Sequence, residues 1–258
     1  MKKVKIKLVI LGGIKYDINI PGLREWSSDF FQIDNNIEII NALPNSLTEE
    51  NEKYIYTDAQ LKSIIGERSN VDLTVAIINQ ELEKNYYERS IGNNCYVLSL
   101  YETGKIVLEN NFKVFHFVIQ ELYYFAAVYY RSKGKIPVSD DGLTHHDIRR
   151  CLFDFNDDKN DIAYSLGRAS VCNSCAAEFD RTFVPEGFVH NIEKELKRIK
   201  KGMFFRIRDF IRNKPIISLV IAIVLAFLIN IASNAVYDWI KSSISTKSAN
   251  VLGYLSHY

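Results

Sequence analysis

The first half of the chain alternates short apolar runs with polar, turn-forming segments, the pattern of a sheet whose strands are connected by helices. The spacing predicts strands over 4–11, 37–43, 71–78 and 95–101, and helices over 23–33 and 57–67. The first run has lysines between its β-branched residues and is too short for a signal peptide, so we interpret it as a strand.

Residues 112–131 are apolar on almost every side, which predicts a helix buried at the centre of the fold. Its one polar stripe consists of Lys113, His116, Gln120 and Tyr124, with Glu121 beside it. So many polar residues argue against a membrane span, and a buried glutamate is expected to be paired or hydrogen-bonded. The predicted fold class is therefore α+β, with a sheet and a buried central helix.

A second apolar segment lies near the C-terminus, where residues 216–232 contain no charge and only Ser218 and Asn230 are polar. Extended to position 240, the segment has 25 residues, enough to cross a hydrocarbon core of about 30 Å as a helix. We predict one transmembrane helix over 215–240, in contact with the lipid bilayer, and a short tail over 241–258. A buried core helix is the alternative interpretation.

Charge is distributed unevenly, although the whole chain carries a net charge of only +1. Residues 1–193 contain 21 basic and 28 acidic residues, a net charge of −7, whereas residues 194–214 contain nine basic and two acidic residues. A basic block directly before a membrane span marks the cytoplasmic side, so nucleic-acid binding is disfavoured. We predict a cytoplasmic domain over 1–185, a basic juxtamembrane segment over 186–214, and a single-pass membrane topology.

Small and polar residues recur at steps of four along the predicted membrane helix: Ser218, Ala222, Ala226, Asn230, Asn234 and Asp238. Residues four apart stack along one side of a helix, small residues let two helices approach closely, and buried amides can hydrogen-bond across the contact. The pattern predicts self-association of the chain within the bilayer. The alternative is a plain anchor, in which the late polar residues only mark the membrane interface.

Three of the four cysteines and two of the five histidines fall between positions 144 and 175. Cys172 and Cys175 form a Cys-x2-Cys turn that can place two thiolates on one zinc ion, and His146 with Cys151 can supply the other two ligands. We predict a structural zinc site formed by these four residues, and the sequence leaves open whether His146 or the neighbouring His145 is the histidine ligand. A disulfide is the weaker alternative, because three local cysteines leave one unpaired and the domain is expected in the cytosol.

The order of the elements, and the residues from Gly142 onward, resemble the archaemetzincins, a family of zinc-dependent, metzincin-like peptidases. The family pattern is HExxHxxGxxHCxxxxCM, a longer gap, and CxxC. In this chain the corresponding segments are Gly142-Leu-Thr-His145-His146, Cys151-Leu152 and Cys172-Asn-Ser-Cys175. The resemblance implies a zincin-like mixed sheet with a zinc-knuckle segment, in which His146 replaces the first structural cysteine.

The catalytic half of the family pattern is degenerate in this chain. Where HExxH is expected, the chain has Gln120-Glu121-Leu122-Tyr123-Tyr124, so the general-base glutamate remains but both histidines of the helix are replaced. His145 falls on the third ligand position, so Glu121 and His145 are the candidate catalytic residues, vestigial or divergent. A catalytic zinc needs three protein ligands and an open position for water, and Gln120 and Tyr124 are poor substitutes for imidazoles.

We therefore expect a zincin-like domain that keeps a structural zinc ion and is tethered by one membrane helix. The function implied is that of a membrane-anchored pseudoenzyme, acting as a sensing, scaffolding or membrane-effector module. The alternative is a divergent zinc metallopeptidase that acts on cytosolic proteins at the membrane. The number of zinc ions per chain separates the two hypotheses, since one ion favours the first and two favour the second.

Overall fold

The computed structural model describes residues 2–44, 48–50, 53–68, 70–138, 142–167, 169–182 and 184–255, with the backbone alone for 48–50, 53–54, 238–240 and 242–255. The chain divides into an N-terminal unit, Met1–Gly202, and a C-terminal unit, Met203–Tyr258. The two units are described separately.

The N-terminal unit contains eight described strands, two helices between them, and five helices after the last strand. Its strands are β1 Val4–Leu11, β2 Phe31–Ile33, β3 Glu38–Ile40, β4 Thr48–Glu50, β5 Lys53–Ile55, β6 Leu73–Ile78, β7 Glu88–Gly92 and β8 Cys95–Ser99. Its helices are α1 Ile20–Glu25, α2 Asp58–Ile65, α3 Thr103–Glu109, α4 Val114–Arg131, α5 Ile162–Ser165, α6 Asn173–Asp180 and α7 Phe188–Leu196. Short 3-10 helices lie at Glu83–Asn85 and Lys159–Asp161.

The described residues form a six-stranded mixed sheet in the order β2-β1-β6-β8-β7, with β3 also paired to β1. The pairs of β1 with β2, β3 and β6 are parallel, as is the pair of β6 with β8, and only β7 runs antiparallel, against β8. Parallel strands are normally covered on both faces, and β6 is accordingly buried at all six positions. The predicted mixed sheet is confirmed.

Helices cover both faces of this sheet. Alternate residues of a strand point to opposite faces, so Val75 and Ile77 of β6 pack into the larger core with α4, whereas Ala76 and Ile78 pack into the smaller core with α2. The predicted central helix is confirmed, since fourteen of the fifteen residues of α4 from Val114 to Val128 are buried. Tyr124 of this helix packs against Phe153, which lies in the loop region 142–175 that carries three of the cysteines.

The start of α2 shows how local sequence sets an element boundary. The Thr57 hydroxyl accepts the backbone N–H of Gln60 at 3.3 Å, and the Gln60 side-chain oxygen accepts the backbone N–H of Thr57 at 2.8 Å. This reciprocal pair is a capping box, which satisfies two N–H groups that the helix leaves free. The sequence prediction of a helix here is confirmed, with bounds that are one or two residues shorter.

Two parts of the N-terminal unit differ from the sequence prediction. The segment 23–33 is not one helix, because α1 ends at Glu25 and the chain then extends into β2. The folded unit also continues past position 185, because Phe188, Ile192 and Ile199 are buried in its larger core. Residues 186–214, predicted as one juxtamembrane segment, are therefore shared between the two units.

The C-terminal unit consists of α8, Met203–Asn213, and α9, Pro215–Leu255. Within α9, the 23 residues Pro215–Tyr237 are strongly apolar and include no charged residue, and none of them is buried in the structure. By length and composition, this stretch can cross a membrane. Pro215 has no N–H to donate to the carbonyl of Ile211, so the hydrogen-bond ladder is interrupted between α8 and α9.

Candidate functional site

The loop region 142–175 is fixed by backbone pairing across its width. The N–H of His145 donates to the Phe153 carbonyl at 3.1 Å, and the His145 carbonyl accepts the N–H of Phe155 at 3.0 Å. A second bridge joins Cys151 to Ser170. These two bridges hold His145 and Cys151 on neighbouring turns of the loop.

The beginning of α6 positions the other two cysteines. Cys172 precedes the first residue of the helix as its N-cap, and Cys175 lies in the first turn. Residues three apart in a helical turn lie on the same side, so both sulfur atoms face the bridged loop. Cys175 is buried, and its Sγ lies 3.4 Å from the Leu143 carbonyl oxygen.

Four side chains meet at this point: His145, Cys151, Cys172 and Cys175. Their ligand atoms all lie within 4.8 Å of one another. The Cys172 Sγ is 3.5 Å from the His145 Nε2, and the N–H of Cys172 donates to the Cys151 Sγ at 3.3 Å. A sulfur and a nitrogen bound to one tetrahedral zinc ion are separated by about 3.5 Å, calculated from the usual bond lengths. The spacing therefore fits a zinc ion, and we refer to the group as the Cys3His cluster.

Surrounding groups orient the histidine of the Cys3His cluster. The His145 Nδ1 is 2.9 Å from the Asp147 carbonyl and 3.4 Å from the Asp154 carboxylate. A proton on Nδ1 satisfies these acceptors and leaves the Nε2 lone pair directed at the sulfurs, which is the usual support for a metal-bound histidine. Asp154 is buried and also accepts the N–H of Cys151 at 3.0 Å.

The hydrogen bonds within the Cys3His cluster favour a thiolate. The Cys175 thiol donates to Cys151, which lowers the pKa of Cys151 to about 5 and raises the pKa of Cys175. Burial opposes ionisation of Cys172, but hydrogen bonds from Ser174 and Cys175 give a net lowering of its pKa. Burial likewise opposes protonation of His145, yet its hydrogen bond with Cys151 gives a net rise of its pKa. A proton shared among sulfurs in this way is what a bound cation replaces.

One charged side chain lies against the exposed side of the Cys3His cluster. The Arg149 guanidinium donates to the Ser174 hydroxyl at 2.9 Å and to the Asp147 carboxylate at 2.7 Å. The same guanidinium lies 3.9 Å from the Cys172 Sγ. Three thiolates on a divalent cation leave one excess negative charge, which this arginine is placed to offset. The sequence analysis did not identify Arg149, because only its position beside Cys172 reveals this role.

The structure places the two adjacent histidines differently from the prediction. His145, predicted at a catalytic position, belongs to the Cys3His cluster, and His146, predicted as the zinc ligand, does not. The His146 side chain is 78% exposed, and its Nδ1 lies 2.9 Å from the Asp157 carboxylate. The reason is local: His145 is paired in an extended bridge, and neighbouring residues in an extended chain point in opposite directions.

The polar residues of α4 lie in the core. Gln120 is buried and its amide donates to the Ser165 hydroxyl at 3.4 Å. The Tyr124 ring packs edge-on against Tyr96, with centroids 6.2 Å apart, and is tilted against Phe153 at 5.8 Å. Among the described residues, the His, Cys, Asp and Glu side chains that are spaced to hold a metal ion are those of the Cys3His cluster, and none of them comes from α4.

The remaining candidate, Glu121, is a buried residue of α4. Burial raises the pKa of Glu121 to about 8. The pKa of Tyr87 is raised well above its usual value, first by burial and then by the proximity of Glu121. A carboxyl group with such a pKa is mostly protonated at neutral pH, so Glu121 is an uncharged side chain of the core.

A cleft of about 430 Å³ lies beside the Cys3His cluster. Its lining includes Glu88 and Ser90 of β7, Tyr124 of α4, and Thr144 and His146 of the loop. The cleft is thus bordered by the edge strand β7, by Tyr124 of the degenerate catalytic motif, and by His146, which is not part of the Cys3His cluster. The sequence analysis did not find this cleft, because it predicted no strand at the position of β7.

Among solved structures, archaemetzincins are similar to this chain. The archaemetzincin of Methanopyrus kandleri aligns with 17% sequence identity and a TM-score of 0.46, over 69% of this chain and 94% of its own. That of Archaeoglobus fulgidus, solved in complex with malonate, aligns with 16% identity and a TM-score of 0.35, over 67% and 99%. No protein-family model matches the sequence, and no curated protein matches it significantly. The resemblance found in the sequence is also found among structures, at a similarity too low to transfer a function.

Proposed function

We propose that the Cys3His cluster binds one structural zinc ion. Its four donors equal the coordination number of zinc, so no position is left for a water molecule, which is the arrangement of a structural and not a catalytic site. Three sulfurs and one imidazole also favour zinc over the harder cations Mg²⁺ and Ca²⁺. The observation that carries this proposal is the approach of all four ligand atoms to within 4.8 Å.

A zinc ion here would hold together a region that has little regular structure of its own. Between α4 and α6, the described residues contain only the short helix α5, one 3-10 turn and two isolated bridges. Cys151 lies near the middle of that region and Cys172 at its C-terminal end, so a shared ion closes the loop between them. The free energy of metal binding then becomes free energy of folding.

We further propose that the N-terminal unit does not hydrolyse peptides. His145 is taken up by the Cys3His cluster, and the helix offers Gln120 and Tyr124 where a catalytic zinc requires imidazoles. Glu121 is buried and mostly protonated at neutral pH, so it is poorly suited to take a proton from water. These observations favour a pseudoenzyme over a divergent metallopeptidase.

The membrane part of the proposal rests on α9. Its first 23 residues are apolar and unburied, and the basic residues that precede them favour a cytoplasmic location for positions 1–214. We propose that this segment anchors the chain and that its small and polar ridge mediates self-association. The Asn234 amide donates to the Asn230 side-chain oxygen at 3.2 Å within the helix, which leaves further amide hydrogen-bonding groups for a neighbouring helix. The side chain of Asp238, also predicted in the ridge, lies outside the described residues.

Together these features support a membrane-anchored, zinc-stabilised pseudoenzyme that works as a binding module for sensing, scaffolding or a membrane effect. The cleft lined by Glu88, Tyr124 and His146 is the surface best suited to receive a ligand, since it combines apolar rings with hydrogen-bonding groups. Binding without turnover is what the zincin-like arrangement can still provide once its catalytic ligands are replaced.

The test measures zinc and peptide turnover on the purified full-length protein. We expect about one zinc ion per chain, no peptide hydrolysis, and loss of the zinc with unfolding of the loop region in Cys172→Ser. Cys95→Ser is the matched control, because Cys95 is a buried thiol of the smaller core outside the cluster. Two zinc ions per chain, with turnover that chelation abolishes, would instead establish the divergent metallopeptidase.

A further inference from the structure

The helix α8 exposes an unusual amount of apolar surface for eleven residues. None of its residues is buried within the protein. Five of its six large apolar side chains are exposed by 40% to 75%: Met203, Phe204, Ile207, Phe210 and Ile211. Exposed apolar surface of this kind marks a site that binds a membrane or another protein.

The exposed apolar side chains lie on one side of α8. On a helix with 3.6 residues per turn, Phe210, Met203, Ile207, Ile211 and Phe204 follow one another around an arc of about 120°. The opposite side carries Phe205, Asp209, Arg212 and Asn213. Apart from Phe205, the helix is therefore divided into an apolar and a polar face, which is the form that lies flat in a membrane interface.

Arginines border the apolar arc on both sides. Arg206 lies just beyond Phe210 on one margin, and Arg208 lies just beyond Phe204 on the other. Both side chains are exposed, and the Arg208 guanidinium is 5.1 Å from the centre of the Phe205 ring. Cations at the margins of an embedded apolar face reach the level of the lipid headgroups, where anionic phosphates neutralise them.

The junction with α9 supports the same arrangement. The missing hydrogen bond at Pro215 lets the helix axis change direction there, so α8 can lie in the interface while α9 crosses the bilayer. The N–H of Lys214 still donates to the Phe210 carbonyl at 2.9 Å, so α8 remains helical up to the junction.

We propose that α8 is an in-plane membrane helix that binds anionic phospholipids. Its apolar arc enters the headgroup region, and Arg206 and Arg208 contact lipid phosphates. The inference rests on the proposed membrane anchor in α9 and adds a lipid preference to it. An anionic bilayer is favoured over a protein partner, because a cation borders the arc on each side and the arc leads directly into a membrane-spanning segment.

Hydrogen exchange of the full-length protein tests this proposal. The protein is reconstituted in vesicles of phosphatidylcholine alone, or of equal parts phosphatidylcholine and phosphatidylglycerol. We expect the amides of α8 to exchange at least about tenfold more slowly in the anionic vesicles, since each cation near an anionic surface strengthens binding about fivefold. The variant Arg206→Gln with Arg208→Gln should lose this difference. The control variant Lys197→Gln with Lys200→Gln removes the same charge from two exposed lysines outside α8 and should keep it.

Three results would overturn the proposal. Fast exchange of α8 in both lipids would show that the helix does not dock. Equal protection in both lipids and in detergent would show that protein covers its apolar face. Protection that depends on the ratio of protein to lipid would identify a second copy as the partner. Exchange over Pro215–Tyr237 is read separately, so failure of the anchor is distinguishable from failure of α8 to bind lipid.

Discussion

The buried carboxyl group of Glu121 makes the stability of the protein depend on pH in a way that one substitution can isolate. In the folded chain its pKa is raised from 4.5 to about 8, because burial penalises the charged form. The unfolded chain therefore releases this proton at lower pH than the folded chain does. As the pH rises from 4.5 toward 8, the folded state loses stability, and the full contribution is present only below 4.5.

The size of the effect follows from the shift in pKa. Each pH unit between the two pKa values changes the free energy of unfolding by about 1.4 kcal/mol. Between pH 4.5 and neutral pH, this group should cost the parent protein about 3 kcal/mol. Glu121→Gln replaces the protonated acid by a neutral side chain of similar shape, so the variant should not carry this cost.

Urea unfolding of the zinc-loaded parent and Glu121→Gln at several pH values measures the difference. We expect the two proteins to have similar stability near pH 5 and the variant to be more stable by about 3 kcal/mol at pH 7. Comparing them at each pH cancels the contribution of the cysteines. Glu109→Gln is the control. The Glu109 carboxylate is exposed, and its ion pair with Lys105, at 3.7 Å, also lies on the surface. A difference that does not change with pH, or a parent that is more stable at pH 7, would refute the reasoning.

Two further predictions concern the histidines and the membrane helix. His145→Ala should lose the zinc ion and more than about 3 kcal/mol of stability, whereas His146→Ala should keep the zinc and stay within about 0.5 kcal/mol of the parent, as measured by metal analysis and urea unfolding. Equal zinc loss in both variants would contradict the assignment. Asn230→Leu with Asn234→Leu should weaken self-association of the full-length protein in membranes by about 0.6–2 kcal/mol for each amide contact, measured by energy transfer between labelled chains. An unchanged dimer fraction, or a monomeric parent, would leave α9 as a plain anchor.

The elements that the sequence predicted well are those that are most buried. Strands β6 and β8 and helix α4 consist mostly of apolar residues, because both faces of the parallel strands and most sides of the helix are covered. Continuous apolar runs bounded by turn residues are informative regardless of the tertiary contacts they make. The buried helix could therefore be placed to within two residues at its start.

The elements that were missed depend on tertiary pairing. Strand β7 has the sequence ERSIG, with little β propensity, and it forms because β8 offers a hydrogen-bonding edge. The last residues of the predicted helix 23–33 form strand β2 instead, because Phe31 pairs with Val4 of β1. The choice between His145 and His146 is of the same kind, since one position along an extended chain decides which side chain faces the cysteines.

The outer edge of β7 also affects whether copies of the chain aggregate when many of them share one membrane. Among the described strands, β7 pairs only with β8, so its other edge carries N–H and C=O groups that could join a second sheet. The strand is short, its register shifts between Ser90 and Gly92, and Arg89 is held by Asp58 at 3.0 Å and by Glu83 at 3.2 Å. Irregular, charged edges resist growth by edge-to-edge addition. Even when many copies share one membrane, this edge should disfavour their polymerisation into extended β-structure.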